Sequence, residues 1–251
     1  MQTAKKADKT GGYIDMRRME LMSWTDFSTA KAKTDLVIVP VGAVEVYGPH
    51  LPLGSDGLVA LKMSELLAKR CGALVAPLVP VGYSEKLSGF PGTLSVSTDI
   101  LRQYLKGICV YLASFGFKKM LFLNGHAGNV GAITELGDEL LALGVRSAQV
   151  DWWRFVQDVC GDIPETEQPY GHAGEIGTSV LMYLWPDLVD MKQAVTGRGA
   201  AGTYPGVTKA YRFKDVCEAG VVGDPFKASA AKGEMIIGRA LQRLEAVVRE
   251  I

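Results

Sequence analysis

Two rhythms of apolar residues run along this chain. The first is the short unbroken run. Leu36-Val-Ile-Val-Pro-Val41 is the clearest, and 73–80, 119–123 and 145–150 carry others. Apolar runs of about four to eight residues, rich in branched side chains, have the length of strands rather than helices. These four predict buried strands. The second rhythm repeats every three or four residues. Leu58, Leu61, Met63, Leu66 and Leu67 predict a helix over 57–70, opened by Ser55-Asp56. Ile100, Leu101, Leu105, Ile108 and Leu112 predict one apolar face on a long helix running from a Ser97 cap to Phe115. Further helices are predicted over 22–33, 132–143 and 175–185, with a last one from 226 or 228 to 251. The stretch 161–170 reads as irregular, and 193–225 as glycine-rich with short strand-like pieces. Strands that alternate with helices of this length predict an α/β fold, a mostly parallel sheet covered on both faces. No repeat or linker divides the chain. A mobile N-terminal segment over 1–20 and one domain over 21–251 are expected.

Composition narrows the function. Lysine and arginine balance aspartate and glutamate at 27 each, and no basic stripe is visible, which argues against nucleic acid as a partner. The longest apolar stretches are short and broken by proline, so no membrane span is expected. The first ten residues lack the apolar core of a secretory signal. Cys71, Cys109, Cys160 and Cys217 are far apart with no C-x-x-C pair. They read as free thiols of a cytoplasmic protein, not as a zinc–thiolate site.

The candidate chemistry sits where strands are expected to end. The first strand runs into a loop broken by Gly42, Gly48, Pro49, Pro52 and Gly54, which carries Glu45, Tyr47, His50 and Asp56. The other two histidines, His126 and His172, lie in glycine-flanked loops of the same kind. Open α/β sheets bind ligands beyond the carboxyl ends of their strands. A divalent ion that takes imidazole nitrogen and carboxylate oxygen can be held by Glu45, Asp56 and His126. Each has an ordinary alternative: helix cap for Asp56, solvated loop acid for Glu45, packing residue for His126. His172 stands just outside a predicted helix start, suited to general acid or base work near neutral pH. Glu175 begins that helix, where the dipole favours a carboxylate. No glycine loop has a phosphate-binding pattern. Asp151-Trp152-Trp153 is either a pocket wall or core.

Together these residues resemble the creatininase (creatinine amidohydrolase) family. Pro40-Val-Gly-Ala-Val-Glu45 with Gly48-Pro-His-Leu-Pro-Leu-Gly-Ser-Asp56 resembles its first motif. Gly89-Phe-Pro-Gly-Thr93, Asn124-Gly-His-Ala-Gly-Asn129, His172-Ala-Gly-Glu-Ile-Gly-Thr-Ser179 and Gly220-Val-Val-Gly-Asp-Pro225 follow in the family's order, over roughly 20–251. The resemblance implies a three-layer α/β/α domain and a homo-oligomer, often a hexamer. It implies a metal-dependent hydrolase of non-peptide amide C–N bonds, acting on small cyclic amides, formamides or peptide-like precursors. The family site holds two divalent ions. Glu45, Asp56 and His126 correspond to ligands of one, and His172 to the histidine beside the scissile bond. Four departures stand out, and the three missing ligands among them cluster on the second ion's side. Tyr47 replaces the histidine of Glu-x-His, and Gly128 and Gly177 replace glutamates. Lys86, or a residue near it, replaces a loop histidine. The expectation is one divalent ion (zinc, manganese or iron), with Glu175 as an additional ligand or proton carrier and Tyr47 donating to an oxyanion. A metal-free lyase, isomerase or cyclase using Lys86, Tyr47 and His172 is the alternative, followed by an inactive member that binds a metabolite or partner.

Overall fold

The computed structural model describes residues 17–199 and 209–251. Eight α-helices and four strands are described. In chain order they are α1 Trp24–Lys31, β1 Leu36–Val41, α2 Ser55–Cys71, β2 Leu74–Val75, α3 Thr98–Ser114 and β3 Lys119–Asn124. These are followed by α4 Val130–Ala142, β4 Arg146–Asp151, α5 Trp152–Val159, α6 Glu175–Leu184, α7 Phe213–Val216 and α8 Ala230–Glu250. The strands form one parallel sheet in the order β2-β1-β3-β4.

Alternation along the strands builds two cores. Val37, Val39 and Val41 point with Met120 and Phe122 to the face covered by α3 and α4. Leu36, Ile38, Leu121 and Leu123 point to the face covered by α2, α6 and α8. The result is the three-layer α/β/α arrangement, and α8 packs chiefly on α6 and α2. Among the described residues no helix is long and apolar enough to cross a membrane.

Four details differ from the sequence reading. The strand expected over 73–80 is only Leu74–Val75, with Val79 touching Val41 as an isolated bridge. Pro77 and Pro80 lack the N–H that a continued ladder requires. The segment after Asp151 is a helix, α5, with Trp152, Val156 and Cys160 buried on one side. Ile100 does not share the inner face of α3; it is 60% exposed. Of the N-terminal stretch expected to be mobile, 1–16 lie outside the described residues. Arg17, however, accepts a 2.9 Å hydrogen bond from the Val75 N–H, so order begins before residue 21.

The topology places the site. From β1 the chain steps outward through α2 to β2, then returns across β1 through α3 to reach β3. The connections leaving β1 and β3 therefore diverge, and a crevice opens at their carboxyl ends.

Candidate metal centre

Past β1 the chain must pass close to the start of α2. Gly42 makes this possible: a Cβ there would lie 2.3 Å from the Gly57 Cα. The first turn of α2 is thereby drawn against the loop that carries Glu45. Gly54 is the N-cap of α2, so Asp56 does not cap it and its carboxylate is left for the crevice. Across the crevice, β3 ends in Asn124, whose side-chain oxygen accepts from the His126 N–H at 3.1 Å and sets the loop's direction.

Glu45, Asp56 and His126 meet there, all buried, with ligand atoms within 4.8 Å of one another. His126 Nδ1 is 3.1 Å from Glu45 Oε2 and 3.1 Å from Asp56 Oδ2. The other ring nitrogen, Nε2, is 2.9 Å from the Tyr83 carbonyl. A carbonyl only accepts, so Nε2 carries a proton. Ser84 Oγ donates to Glu45 Oε2 at 2.5 Å and lies 3.3 Å from His126 Nε2.

Burial and crowding set the charges. Burial pushes Asp56 up, and the Glu45 carboxylate beside it pushes it further, to about 7. Burial pulls His126 down, but hydrogen bonds and attraction from Asp56 and Glu45 outweigh this and raise it to about 10. Burial acts upward on Glu45, yet His126 and Ser84 hold it below its ordinary value. Without an ion, a proton on imidazole offsets one of the two carboxylate charges.

This donor set fits one divalent ion. Metal–ligand bonds of about 2.1 Å place neighbouring donors about 3.0–3.4 Å apart, and His126 Nδ1 stands 3.1 Å from each carboxylate. A ligating histidine typically donates its other N–H to a carbonyl or carboxylate, as His126 does to Tyr83. A second ion finds no equivalent set: the only such cluster among the described residues is Glu45, Asp56 and His126. Gly128 cannot carry a ligand on this backbone, because its Cβ would lie 1.9 Å from the Tyr83 carbonyl and 2.7 Å from His126 Nε2. Gly177 leaves the space that Tyr47 fills, and a Cβ there would stand 3.5 Å from the phenol oxygen.

Around the triad is a pocket of about 250 Å³ lined by Tyr47, Lys86, His172, Trp153, Tyr170 and Phe213, among others. The Tyr47 ring lies 4.5 Å from that of His172, which lies 5.3 Å from Phe213. Burial, then the charges of Asp56 and Glu45, raise the Tyr47 phenol well above its ordinary value. His172 Nε2 donates to the Val46 carbonyl at 2.7 Å, which leaves Nδ1 as its proton-accepting atom. Burial lowers the pKa of this ring, against the pull of Glu45 and the bond to Val46, so it is neutral at pH 7. Lys86 is exposed at the rim.

Two sequence candidates belong elsewhere. Glu175 is fully buried, and its carboxylate accepts from the backbone N–H groups of Glu165 and Thr166 and from Lys232 Nζ at 2.5 Å. It ties the 161–170 segment to α8 and lies outside both the triad and the pocket lining. Glu175→Gln will cost about 2–4 kcal/mol in chemical unfolding, because Lys232 loses a buried charge partner. Activity per folded molecule will stay within about twofold; a large fall in kcat at unchanged KM would restore a catalytic role. His50 is a core histidine, buried, with Nε2 3.0 Å from Thr178 Oγ1. Of the tryptophan pair, Trp152 is core and Trp153 is pocket wall. The sequence reading missed Ser84 and Phe213. Neither lies in a readable spacing, and only the folded loops bring them to the site.

Comparison with known proteins agrees with this fold. A creatininase family model, described as creatinine amidohydrolase, matches residues 20–248. The mycofactocin precursor peptide peptidase of Mycolicibacterium smegmatis is 35% identical over 80% of this chain and 79% of that protein. The creatinine amidohydrolase of Pseudomonas putida is 31% identical over 91% of this chain and 95% of its own. Among solved structures, a mutant creatininase of Zn-Zn type superposes with a TM-score of 0.79 at 26% identity, covering 93% of this chain and 97% of that one.

Proposed function

The chain belongs to the creatininase family, and from that premise we propose that it is a hydrolase of amide C–N bonds that works with one divalent ion. The observation that carries the reading is the orientation of His126. Its Nε2–H is tied to the Tyr83 carbonyl while Nδ1 faces two carboxylates, an arrangement suited to ligation by all three. Glu45, Asp56 and His126 would hold the ion. When bound, it supplies Lewis-acid polarisation of the amide carbonyl and a lowered pKa for water.

The chain's own residues divide the remaining tasks. Hydrolysis adds water across the C–N bond: oxygen goes to carbon, one proton goes to the departing nitrogen, and negative charge appears briefly on the carbonyl oxygen. Tyr47 keeps its proton at neutral pH, so it can donate to that oxygen. His172, neutral and with Nδ1 free, takes a proton and returns it to the leaving nitrogen. Lys86 at the rim suits a substrate that carries an anionic group. Trp153, Tyr170 and Phe213 give the pocket apolar walls, and its volume of about 250 Å³ suits a small cyclic amide or formamide. A larger cleft of about 1280 Å³ shares Gly171, Tyr211 and Phe213 with it, which favours a peptide-like substrate as the second reading.

The test is hydrolysis of a panel of cyclic amides, formamides and short peptides by the chelated protein and by the same protein reloaded with zinc, manganese or iron(II). Turnover that appears only after reloading supports the proposal. Turnover equal in both samples would move the function to metal-free acid–base chemistry on Tyr47, His172 and Lys86.

A further inference from the structure

Asn129 is fully buried and stands at the N-cap of α4, yet its side chain makes no cap bond. Asparagine is favoured at that position because its side-chain oxygen accepts from the first N–H groups of the helix. Here the amide turns away from the helix and joins three loops. Its Oδ1 accepts from the Tyr83 N–H at 3.0 Å, in the loop that follows β2. Its Nδ2 donates to the Gly42 carbonyl just past β1, at 3.0 Å, and to Asn124 Oδ1 at the end of β3, at 3.3 Å. We propose that Asn129 is a positioning residue for the metal centre. It sets the place of Tyr83, whose carbonyl in turn holds the ring of His126 with Nδ1 toward Glu45 and Asp56. The inference rests on the reading of Glu45, Asp56 and His126 as the ligands of one ion.

The amide has one workable orientation. Asn124 Nδ2 donates to Asp151 Oδ1 at 2.8 Å, so Asn124 turns its oxygen inward, where it accepts from the His126 N–H and from Asn129. Asp151 is itself held by Gln149 Nε2 at 2.8 Å and by Arg154 at 3.2 Å. The Gly42 carbonyl and Asn124 Oδ1 only accept, so Asn129 must offer its NH2 to that pair and its oxygen to the Tyr83 N–H. Tyr83 is thus gripped at its N–H by Asn129, and its carbonyl receives the His126 Nε2–H at 2.9 Å.

Two glycines permit this close approach. A Cβ at Gly82 would lie 2.1 Å from Asn129 Oδ1, and one at Gly128 would lie 1.9 Å from the Tyr83 carbonyl. A side chain at either position would part Tyr83 from the β3 loop. Asn129 carries no charge, and none of its side-chain bonds goes to Glu45, Asp56 or the His126 ring. Its influence on the ion therefore passes through geometry, by fixing where Nδ1 points.

The experiment compares wild type, Asn129→Ala and a control, Glu175→Gln, which loosens the fold away from the pocket. Zinc affinity is read by competition with a chromophoric chelator. The ring N–H groups of the three histidines are read by NMR of the metal-free protein carrying isotope-labelled histidine. In wild type the His126 Nε2–H will give a resonance protected from exchange. In Asn129→Ala it will exchange at least about tenfold faster, and zinc will bind about 10–100-fold more weakly, the usual effect of losing support behind a ligating histidine. Glu175→Gln will keep both within about twofold, because distant sites act independently. A wild-type His126 resonance in Asn129→Ala overturns the proposal. Zinc affinity within about threefold of wild type overturns it too, as does an equal weakening in Glu175→Gln, which would make the effect one of stability alone. If wild type itself binds no zinc while Asn129→Ala still loses the resonance, the one-ion function fails and the positioning of His126 by Asn129 stands. Should Asn129→Ala not fold, Gly82→Ala carries the same test, because its Cβ displaces the Asn129 oxygen without removing any bonding group.

Discussion

Glu45→Ala will purify without its ion and without activity. Wild type is expected to retain about one divalent ion per chain by elemental analysis, and the variant less than a tenth of that. The carboxylate is 1% exposed, Ser84 and His126 both hold it in place, and among the described residues no further His, Cys, Asp or Glu joins the cluster. Loss of the ion removes several kcal/mol of charge stabilisation, and about 4 kcal/mol is a thousandfold in rate. The apoprotein adds a second signature. Burial favours neutral imidazole at His126, but the bonds and charges of Asp56 and Glu45 hold its proton up to about pH 10. The proton shared between His126 and the carboxylates must leave when the ion binds. Loading will therefore release at least one proton below that pH, and apparent affinity will rise with pH by about tenfold per unit for each proton released. Calorimetry in buffers of different ionisation enthalpy counts the protons. Retention of the ion by Glu45→Ala would sink the assignment of this ligand. Two ions per wild-type chain would mean that ligands other than the departed ones complete a second centre.

The sheet was legible because its strands are buried on both faces. Leu36–Val41 and the 120–123 stretch of β3 read as unbroken apolar runs for the same reason that they sit at the middle of three layers. Where the cause is not a run, the reading failed. Strand β2 is cut short by prolines that a simple apolar count passes over, and α5 hides its helical period behind two tryptophans of which only one is core. Glu45, Asp56 and His126 were legible because α/β topology sends strand-end loops to one place. Glu175 was misplaced for the opposite reason. Its partner Lys232 lies 57 residues away on α8, and no local pattern records such a pairing. The substitutions at 47, 128 and 177 could be read one by one. Their mutual fit could not: the phenol of Tyr47 occupies room left by Gly177, and the Tyr83 carbonyl and the His126 ring close the space at Gly128.

That fit makes Tyr47→Phe the most informative substitution in the pocket. Phenylalanine keeps the ring, which is 9% exposed and packs at a tilt with its centre 4.5 Å from that of His172, and removes only the hydroxyl. Stability should change by no more than about 1 kcal/mol, the net worth of one hydrogen bond. Ion content should not change, because a protonated phenol is not a ligand. Burial and the charges of Asp56 and Glu45 keep that proton in place at neutral pH. A hydrogen bond to the carbonyl oxygen strengthens as that oxygen gains charge, so this donation is worth most in the transition state. An interaction of that kind appears in kcat and leaves KM nearly alone. We expect kcat to fall about 10²–10³-fold, the loss seen when one oxyanion donor is removed, with KM within about threefold. A silent substitution would mean that an ion alone stabilises the oxyanion and that Tyr47 only fills space. Loss of activity together with loss of the ion would mean that the hydroxyl orients Asp56 as a ligand, a positioning role. The separation of ion content from kcat decides between a phenol that took over the second ion's chemistry and one that merely took its place.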